Sequence, residues 1–493
     1  MWWYVLLSSL LVAGQALPHW LLAQDSTSVV NGAPDGPLTV KRSVELALAR
    51  NARVAGARAV AVAARAGQRE ARASLFPTLR SSAGYTRLGG ELPSGDVTLP
   101  GIEGTFPLLP IERDRYQVAL SLEQPLFAGG RLRGAARAAA STADAAAQLE
   151  EQEQVDVAFD VRRAYWTLHA ARRTLVVMQA AVKRVEAHLA VMRQRYEAGT
   201  VLRSDVLAAE ARRSEIELAR VDARNSARLA EVELNRLTGQ PLLARVELPP
   251  VAGSDSGRDA SDVDTANVDK SNIDISNTAI SNADASNVDS SNVDIPNTDT
   301  SAVDVSGNVA ALPPEIRALG AQIAAERARL SAERGGWFPS VNLLSRYVYA
   351  RPSPYAITDQ TSFLGTWEAG VSIGWNLWDG GAREARVEQA TARVRSAEAR
   401  LEEAKRLAEV EVTRQSLEVE RASEAMRATA DNVARSAESL RVTQQQFQEG
   451  VVLSAQLLDA EQTLLEAEER QVRAAADSAI AQAALLHATG RVW

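Results

Sequence analysis

The chain has 493 residues, 46% hydrophobic and 5% aromatic, with no cysteine, four histidines and a formal charge of −8 from 54 Lys+Arg against 62 Asp+Glu. The missing cysteines exclude disulfides, thiolate metal sites, catalytic thiols and lipidation at an N-terminal Cys, and no Lys/Arg clustering of the kind a nucleic-acid binder needs is present. The charge is local: residues 253–310 hold 11 Asp, no Glu and only Arg258 and Lys270, so that stretch carries −9 and the other 435 residues +1.

Met1 to Ala23 contains no Asp, Glu, Lys or Arg, and the apolar run from Trp2 to Ala13 breaks at Pro18-His19. This reads as a secretory signal peptide ending at Ala16 or Ala23. A short membrane anchor is the alternative, although the run is shorter than the ~20 residues a spanning helix needs. No later stretch has 18 uncharged apolar residues, so further membrane contact must use β-strands. Residues 24–36 form an N-terminal segment. His19, His169, His188 and His487 are too scattered in sequence to point to a metal site.

Residues 37–250 then read as helix, strand, strand, long helix, turn, helix. Tyr116, Val118, Leu120 and Leu122 alternate with Gln117, Ala119, Ser121 and Glu123, the period of a strand with one face to lipid and one to water; a soluble hairpin alternates identically. Leu79–Tyr85 is a plausible partner, joined by a Gly/Pro-rich loop at about Leu88–Glu112. After Gly134 no Gly or Pro occurs until Gly199. The seam Val157, Val161, Ala164, Leu168, Ala171, Leu175, Met178, Val182, Val185, Leu189, Met192, Tyr196 steps by 4 and 3, as in a coiled coil. Such a helix is about 100 Å long. Gly199 ends it, and Asp205–Leu237 is again helical.

Residues 251–311 contain a period-five tract, Ser271-Asn-Ile-Asp-Ile through Ser291-Asn-Val-Asp-Ile, with looser copies from Ser261 to Val305. It is similar to pentapeptide repeats that build a four-sided β-helix, but its central residues are small and its units few. A self-repelling disordered linker is the favoured reading.

Residues 312–493 repeat the first series. Gln124-Pro-Leu-Phe-Ala-Gly-Gly matches Trp375-Asn-Leu-Trp-Asp-Gly-Gly, Arg195-Tyr-Glu-Ala-Gly-Thr-Val-Leu matches Gln446-Phe-Gln-Glu-Gly-Val-Val-Leu, and Thr238-Gly239 matches Thr489-Gly490, all at an offset of 251. Rigid helices of fixed length keep an offset constant; loops drift. Phe76-Pro77 matches Phe338-Pro339 at offset 262, which puts the length difference into the first hairpin. The strands expected here are Val341–Tyr349 and Trp367–Asn376, around a loop at about Arg351–Thr366. Tyr85, Tyr116, Tyr347, Tyr349, Trp367, Trp375 and Trp378 lie near strand ends, suited to interfacial girdles. The second long-helix seam, Val412 to Phe447, alternates polar or small residues with apolar ones, which fits a weaker coiled coil or a helix with one side to water. Four strands leave two open edges, which a bilayer does not tolerate. Closure therefore requires several chains, and three would give twelve strands.

The duplicated Leu-aromatic-x-Gly-Gly lead into a long helix, the aromatic-x-x-Gly turn at its far end and the two hairpins resemble the TolC-like outer-membrane efflux proteins. The resemblance implies a fold of mixed α and transmembrane β: a trimer with a 12-stranded outer-membrane β-barrel on a periplasmic α-barrel tunnel of long helical hairpins. It implies no catalysis and no cofactor, but passive passage from an inner-membrane pump through a periplasmic adaptor. Its adaptor-docking tips would be Gly199, Thr200, Val201 and Leu202, and Gly450, Val451, Val452 and Leu453; a plain hairpin turn explains the glycines but less well the Val-Val-Leu. Its periplasmic gate positions would be Asp205, Phe447, Val452, Gln456 and Asp459. Phe447 and Val452 stand where the family has Tyr and Arg, so the closed state here should rest on apolar contact. Asp459 is either one of a ring of three that favours cations or a solvated helix charge. The competing class is a periplasmic coiled-coil adaptor or scaffold; an enzyme lacks any nucleophile–base pair or phosphate loop.

Overall fold

The computed structural model describes residues 37–89, 96–98, 105–107, 113–249, 312–353 and 362–493. The leader, the period-five tract and most of both hairpin loops lie outside the described residues.

The first predicted helix is two helices, α1 (Val40–Arg50) and α2 (Ala52–Ala73). Asn51 makes the break: its side-chain oxygen caps α2 by accepting from the Arg53 amide at 2.8 Å, and its Nδ2 donates to the Leu237 carbonyl at 2.9 Å. The corresponding helix of the second half, α5 (Pro314–Arg334), starts on a proline in its first turn and runs unbroken.

Strands β1 (Thr78–Arg87) and β4 (Asp114–Ala128) are joined by a long connection that holds a small hairpin, β2 (Asp96–Thr98) with β3 (Thr105–Pro107), which the sequence pattern did not announce. The strands of the second half are β5 (Ser340–Arg351) and β6 (Leu364–Gly374). The sheet order is β1-β4-β5-β6, antiparallel throughout, with β1 and β6 as free edges. β6 ends at Gly374, so Trp375 and Asn376 lie just beyond it rather than inside it. The β4–β5 register slips between Pro125 and Phe127, where proline supplies no ladder donor.

The Gly-Gly pairs turn the chain from β4 and from β6 into the two long helices. Gly129, Gly130, Gly380 and Gly381 all have φ between 61° and 87°, and a Cβ on Gly129 would lie 2.1 Å from the Gly335 carbonyl oxygen. Only glycine fits two successive left-handed residues there without strain.

The helices that follow are α3 (Arg131–Glu197), α4 (Arg203–Thr238), α6 (Ala382–Gln448) and α7 (Ser454–Ala488). At 67 residues each, α3 and α6 span about 100 Å. α3 is central, packing against α4, α5, α2 and α7, whereas α6 packs against α5 and α7. The side-by-side order is thus α4-α3-α7-α6, with α4 and α6 at the margins. The α3 seam is buried or half-buried from Val157 to Met192, but Tyr196, predicted to continue it, is exposed. The α6 seam is mostly half-buried, as suits a marginal helix. Three apolar clusters run down the α3 axis: one around Val161, Leu168, Leu234 and Val44, one around Met178, Val185 and Ile216, and one at the turns around Met192, Leu440, Phe447 and Leu457.

Candidate functional site

Two surfaces stand out: the sheet and the ends of the helical hairpins. Residues directly opposite in an antiparallel pair share a face. One face carries Leu79, Tyr85, Tyr116, Val118, Leu120, Tyr347, Tyr349, Trp367, Val371 and Ile373, every one of them exposed. The opposite face carries Arg80, Gln117, Ser121, Arg346 and Glu368, with Arg346 across from both Ser121 and Glu368. Tyr85, Tyr116, Tyr347, Tyr349 and Trp367 gather toward the loop end, while Phe76, Phe127, Phe338, Trp375 and Trp378 gather toward the helices. Eight to eleven residues separate the two groups along the chain, roughly 26–36 Å if extended. That is close to the apolar band of an outer-membrane barrel.

At the far end, each long helix closes with the same bonds. The Gly199 amide donates to the Tyr196 carbonyl and the Thr200 amide to the Arg195 carbonyl, both at 2.9 Å. In the second hairpin the Gly450 amide donates to Phe447 at 3.1 Å and the Val451 amide to Gln446 at 2.9 Å. Gly199 and Gly450, with φ of 72° and 77°, supply the left-handed residue this closure needs. The Leu202 amide donates to Asp205 Oδ2 at 3.3 Å and the Leu453 amide to Gln456 Oε1 at 3.2 Å, so Asp205 and Gln456 cap the returning helices. Val201 and Val452 pack inward, while Leu202, Val451 and Leu453 stay 70–74% exposed.

A family model described as outer membrane efflux protein matches residues 43–240 and 305–491. The chain belongs to the outer membrane efflux protein family. It is an outer-membrane efflux channel, with the sheet at the membrane and the long helices on the periplasmic side. Among solved structures, the outer-membrane channel OprN is 22% identical over 92% of this chain and 89% of its own, with a TM-score of 0.68. VceC from Vibrio cholerae is 19% identical over 92% and 96%, with a TM-score of 0.69. The MtrE outer-membrane channel of Neisseria gonorrhoeae, in its open state, is 21% identical over 92% and 89%, with a TM-score of 0.67. At these identities the likeness is one of fold. A search of curated proteins found no match.

Within the efflux protomer, the gate positions named from sequence divide into three environments. Asp205 and Gln456 are engaged as caps. Asp459 is exposed on α7, and Val452 is half-buried. Phe447 is 5% exposed, stacked on the His188 ring with centroids 5.7 Å apart, and the Arg195 guanidinium carbon lies 4.3 Å from its ring centroid. Arg195 also donates to the Phe447 and Gln448 carbonyls, at 3.1 and 3.3 Å. Phe447 therefore belongs to the seam between the two hairpins, and the cation that holds it comes from α3.

Sequence reasoning missed the polar partners across that seam. Arg184 of α3 donates to Glu468 of α7 at 2.8 Å, Asp156 of α3 meets His487 of α7 at 2.8 Å, and His188 lies between Ser454 and Glu461. These pairs join helices that are hundreds of residues apart in the chain, beyond the reach of any local period. Among the described residues no group of three His, Cys, Asp or Glu is placed to hold a metal, and no helix is long and apolar enough to cross a membrane.

Proposed function

We propose that three copies of this chain close head to tail into one passive duct, with a 12-stranded barrel above and a helical tunnel below, and that no chemistry is done on the cargo. The observation that carries the reading is the pair of unlike free margins: β1 and β6 in the sheet, α4 and α6 in the helical layer. Unpaired strand edges are intolerable in lipid. α4 exposes Leu207, Leu218 and Leu229 at steps of eleven residues, and α6 exposes Leu407, Val410 and Leu417. Each margin has what the other lacks, so β6 and α6 of one copy meet β1 and α4 of the next. α2 rests on α3, whereas α5 lies between α3 and α6, so each chain brings two such helices and three chains bring six around the tunnel.

The hairpin tips dock a periplasmic adaptor, through which an inner-membrane pump delivers the cargo. Leu202, Val451 and Leu453 give that adaptor an apolar contact on rigid turns. Apolar packing around Phe447 and Val452 closes the periplasmic aperture, and the exposed Asp459 carboxylates of three copies form an acidic ring. The adaptor or scaffold alternative gives no reason for a sheet with a ten-residue-deep apolar outer face. Outer-membrane fractionation with heat-modifiable gel migration tests the reading: a trimer that falls apart only on boiling is expected, and a soluble periplasmic monomer would overturn it.

A further inference from the structure

The strongest unassigned feature is a row of charge across the polar face of the sheet. Arg80 of β1 is paired with Ser121 of β4, Ser121 with Arg346 of β5, and Arg346 with Glu368 of β6. Residues directly opposite share a face, so these four stand side by side. Their neighbours in sequence, Leu120, Tyr347 and Trp367, are paired with one another on the apolar face. Arg80 and Glu368 are exposed and Arg346 is half-buried. Strands lie about 4.8 Å apart, which sets the backbones of Arg80 and Arg346 roughly 10 Å apart with only a serine between them. Two arginines against one glutamate leave the row a charge of +1 per chain. The other charges on this face of the described strands, Arg115 and Glu123 of β4, cancel. The arginines are not copies of each other. At the 262 offset Arg80 matches Asn342 and Arg346 matches Gly84, so they meet only because β4 pairs with β5 across the two halves.

We propose that in the closed barrel these rows form a basic belt that favours anions at the outer end of the duct, suited to cargo of the small organic anion class. The belt rests on the trimeric duct reading, in which the polar face lines the lumen. Three chains then bring six arginines and three glutamates to it. Twelve strands about 4.8 Å apart and tilted by about 40° close a circle roughly 24 Å across at the backbone. Side chains reaching inward bring the guanidinium groups within about 10 Å of the axis, the Debye length at 0.1 M salt. The same tilt makes each row climb by roughly 9 Å, so the charges form a deep belt and not a single ring. Arginine stays protonated at any physiological pH, so the field is permanent. A low-dielectric wall focuses it along the lumen. The candidate Asp459 ring lies at the far end of helices about 100 Å long, too distant for screened charges to offset.

The cysteine-free chain allows a direct measurement of that field. Ser121→Cys places a thiol inside the row, and Leu120→Cys places one on the apolar face. Both are labelled in outer-membrane vesicles with two methanethiosulfonates of similar size, one carrying a sulfonate and one a trimethylammonium group. Ser121→Cys should react faster with the anionic reagent. Adding Arg80→Gln and Arg346→Gln should lower the anionic-to-cationic rate ratio about tenfold, while Arg80→Lys with Arg346→Lys should preserve it. Raising salt to 1 M, where the Debye length is about 3 Å, should shrink the preference. In planar bilayers under a KCl gradient, the reversal potential of the double Gln variant should move toward the potassium potential. A rate ratio unchanged in heat-modifiable double Gln trimers overturns the belt, and an unmoved reversal potential overturns its effect on flow. Leu120→Cys labelled as fast as Ser121→Cys would count instead against the sheet as a barrel wall, and so against the duct reading itself.

Discussion

At Phe447, two hairpins and a cation share one ring, and that sets what its loss should do. Its ring meets both His188 and Arg195 inside an apolar cluster. Truncating such a phenylalanine typically costs about 3–5 kcal/mol. If apolar packing closes the periplasmic end as proposed, Phe447→Ala should raise single-channel conductance, because it removes the largest side chain of that cluster. An unchanged conductance would refute an apolar closure. Higher on the same seam, burial pushes the Asp156 carboxyl up, but hydrogen bonds from His487 and Gln152 outweigh this and hold it below the usual carboxylate range. A depressed carboxylate contributes stability at pH values above its unfolded pKa, and that contribution is lost as pH falls through the folded value. Asp156→Asn should accordingly lower the thermal midpoint by a few degrees at neutral pH. The difference from wild type should shrink as pH falls through the depressed pKa of Asp156, where the wild type also comes to carry a neutral group. A difference that persisted there would show that Asp156 acts through packing alone.

At the scale of elements, the two turns are the same object built twice with different residues at the cap. Asp205 and Gln456 both return a side-chain oxygen to an amide three residues back, and the exposed leucines follow from that geometry. Leu202→Asp or Leu453→Asp should leave the trimer heat-modifiable while weakening adaptor capture about tenfold, equivalent to about 1.4 kcal/mol. Capture at wild-type strength would move the docking surface elsewhere. Most of this architecture was legible because it is periodic. The 4-3 seam of α3, the two-residue alternation of β4 and the 251 offset each report a repeating geometry that neighbouring residues share. What was not legible is what breaks period or crosses it. The Asn51 break turns on a bond to Leu237 in another helix. The β2–β3 hairpin is three residues a side inside a loop. The His188–Glu461 and Arg184–Glu468 pairs depend on the angle at which α3 meets α7. Tyr196 keeps the seam spacing, yet it is exposed because the chain turns three residues later at Gly199.

For the whole molecule, the margins decide the assembly. Leu218 and Leu229 are 64% and 70% exposed on α4, a waste of apolar surface unless a neighbour covers it. Leu218→Glu with Leu229→Glu should convert the trimer band to monomer on semi-native gels, while a charge at exposed Thr413 of α6 should be better tolerated than one at Leu407 or Leu417. Trimers that survive the α4 pair would place the neighbour elsewhere. The unlike edges β1 and β6 carry a genetic consequence as well. A contact between two different patches closes only if every member of the ring offers both. A chain with prolines on the outward-bonding positions of β6 keeps a sound β1, so it can still be recruited and then leaves the ring open. Co-expressed at equal level with the wild type, it should poison random trimers so that only about one in eight is wholly sound, and export should fall nearly eightfold rather than by half. A chain spoiled at both β1 and β6 cannot be recruited at all, and the more heavily damaged allele should be the recessive one.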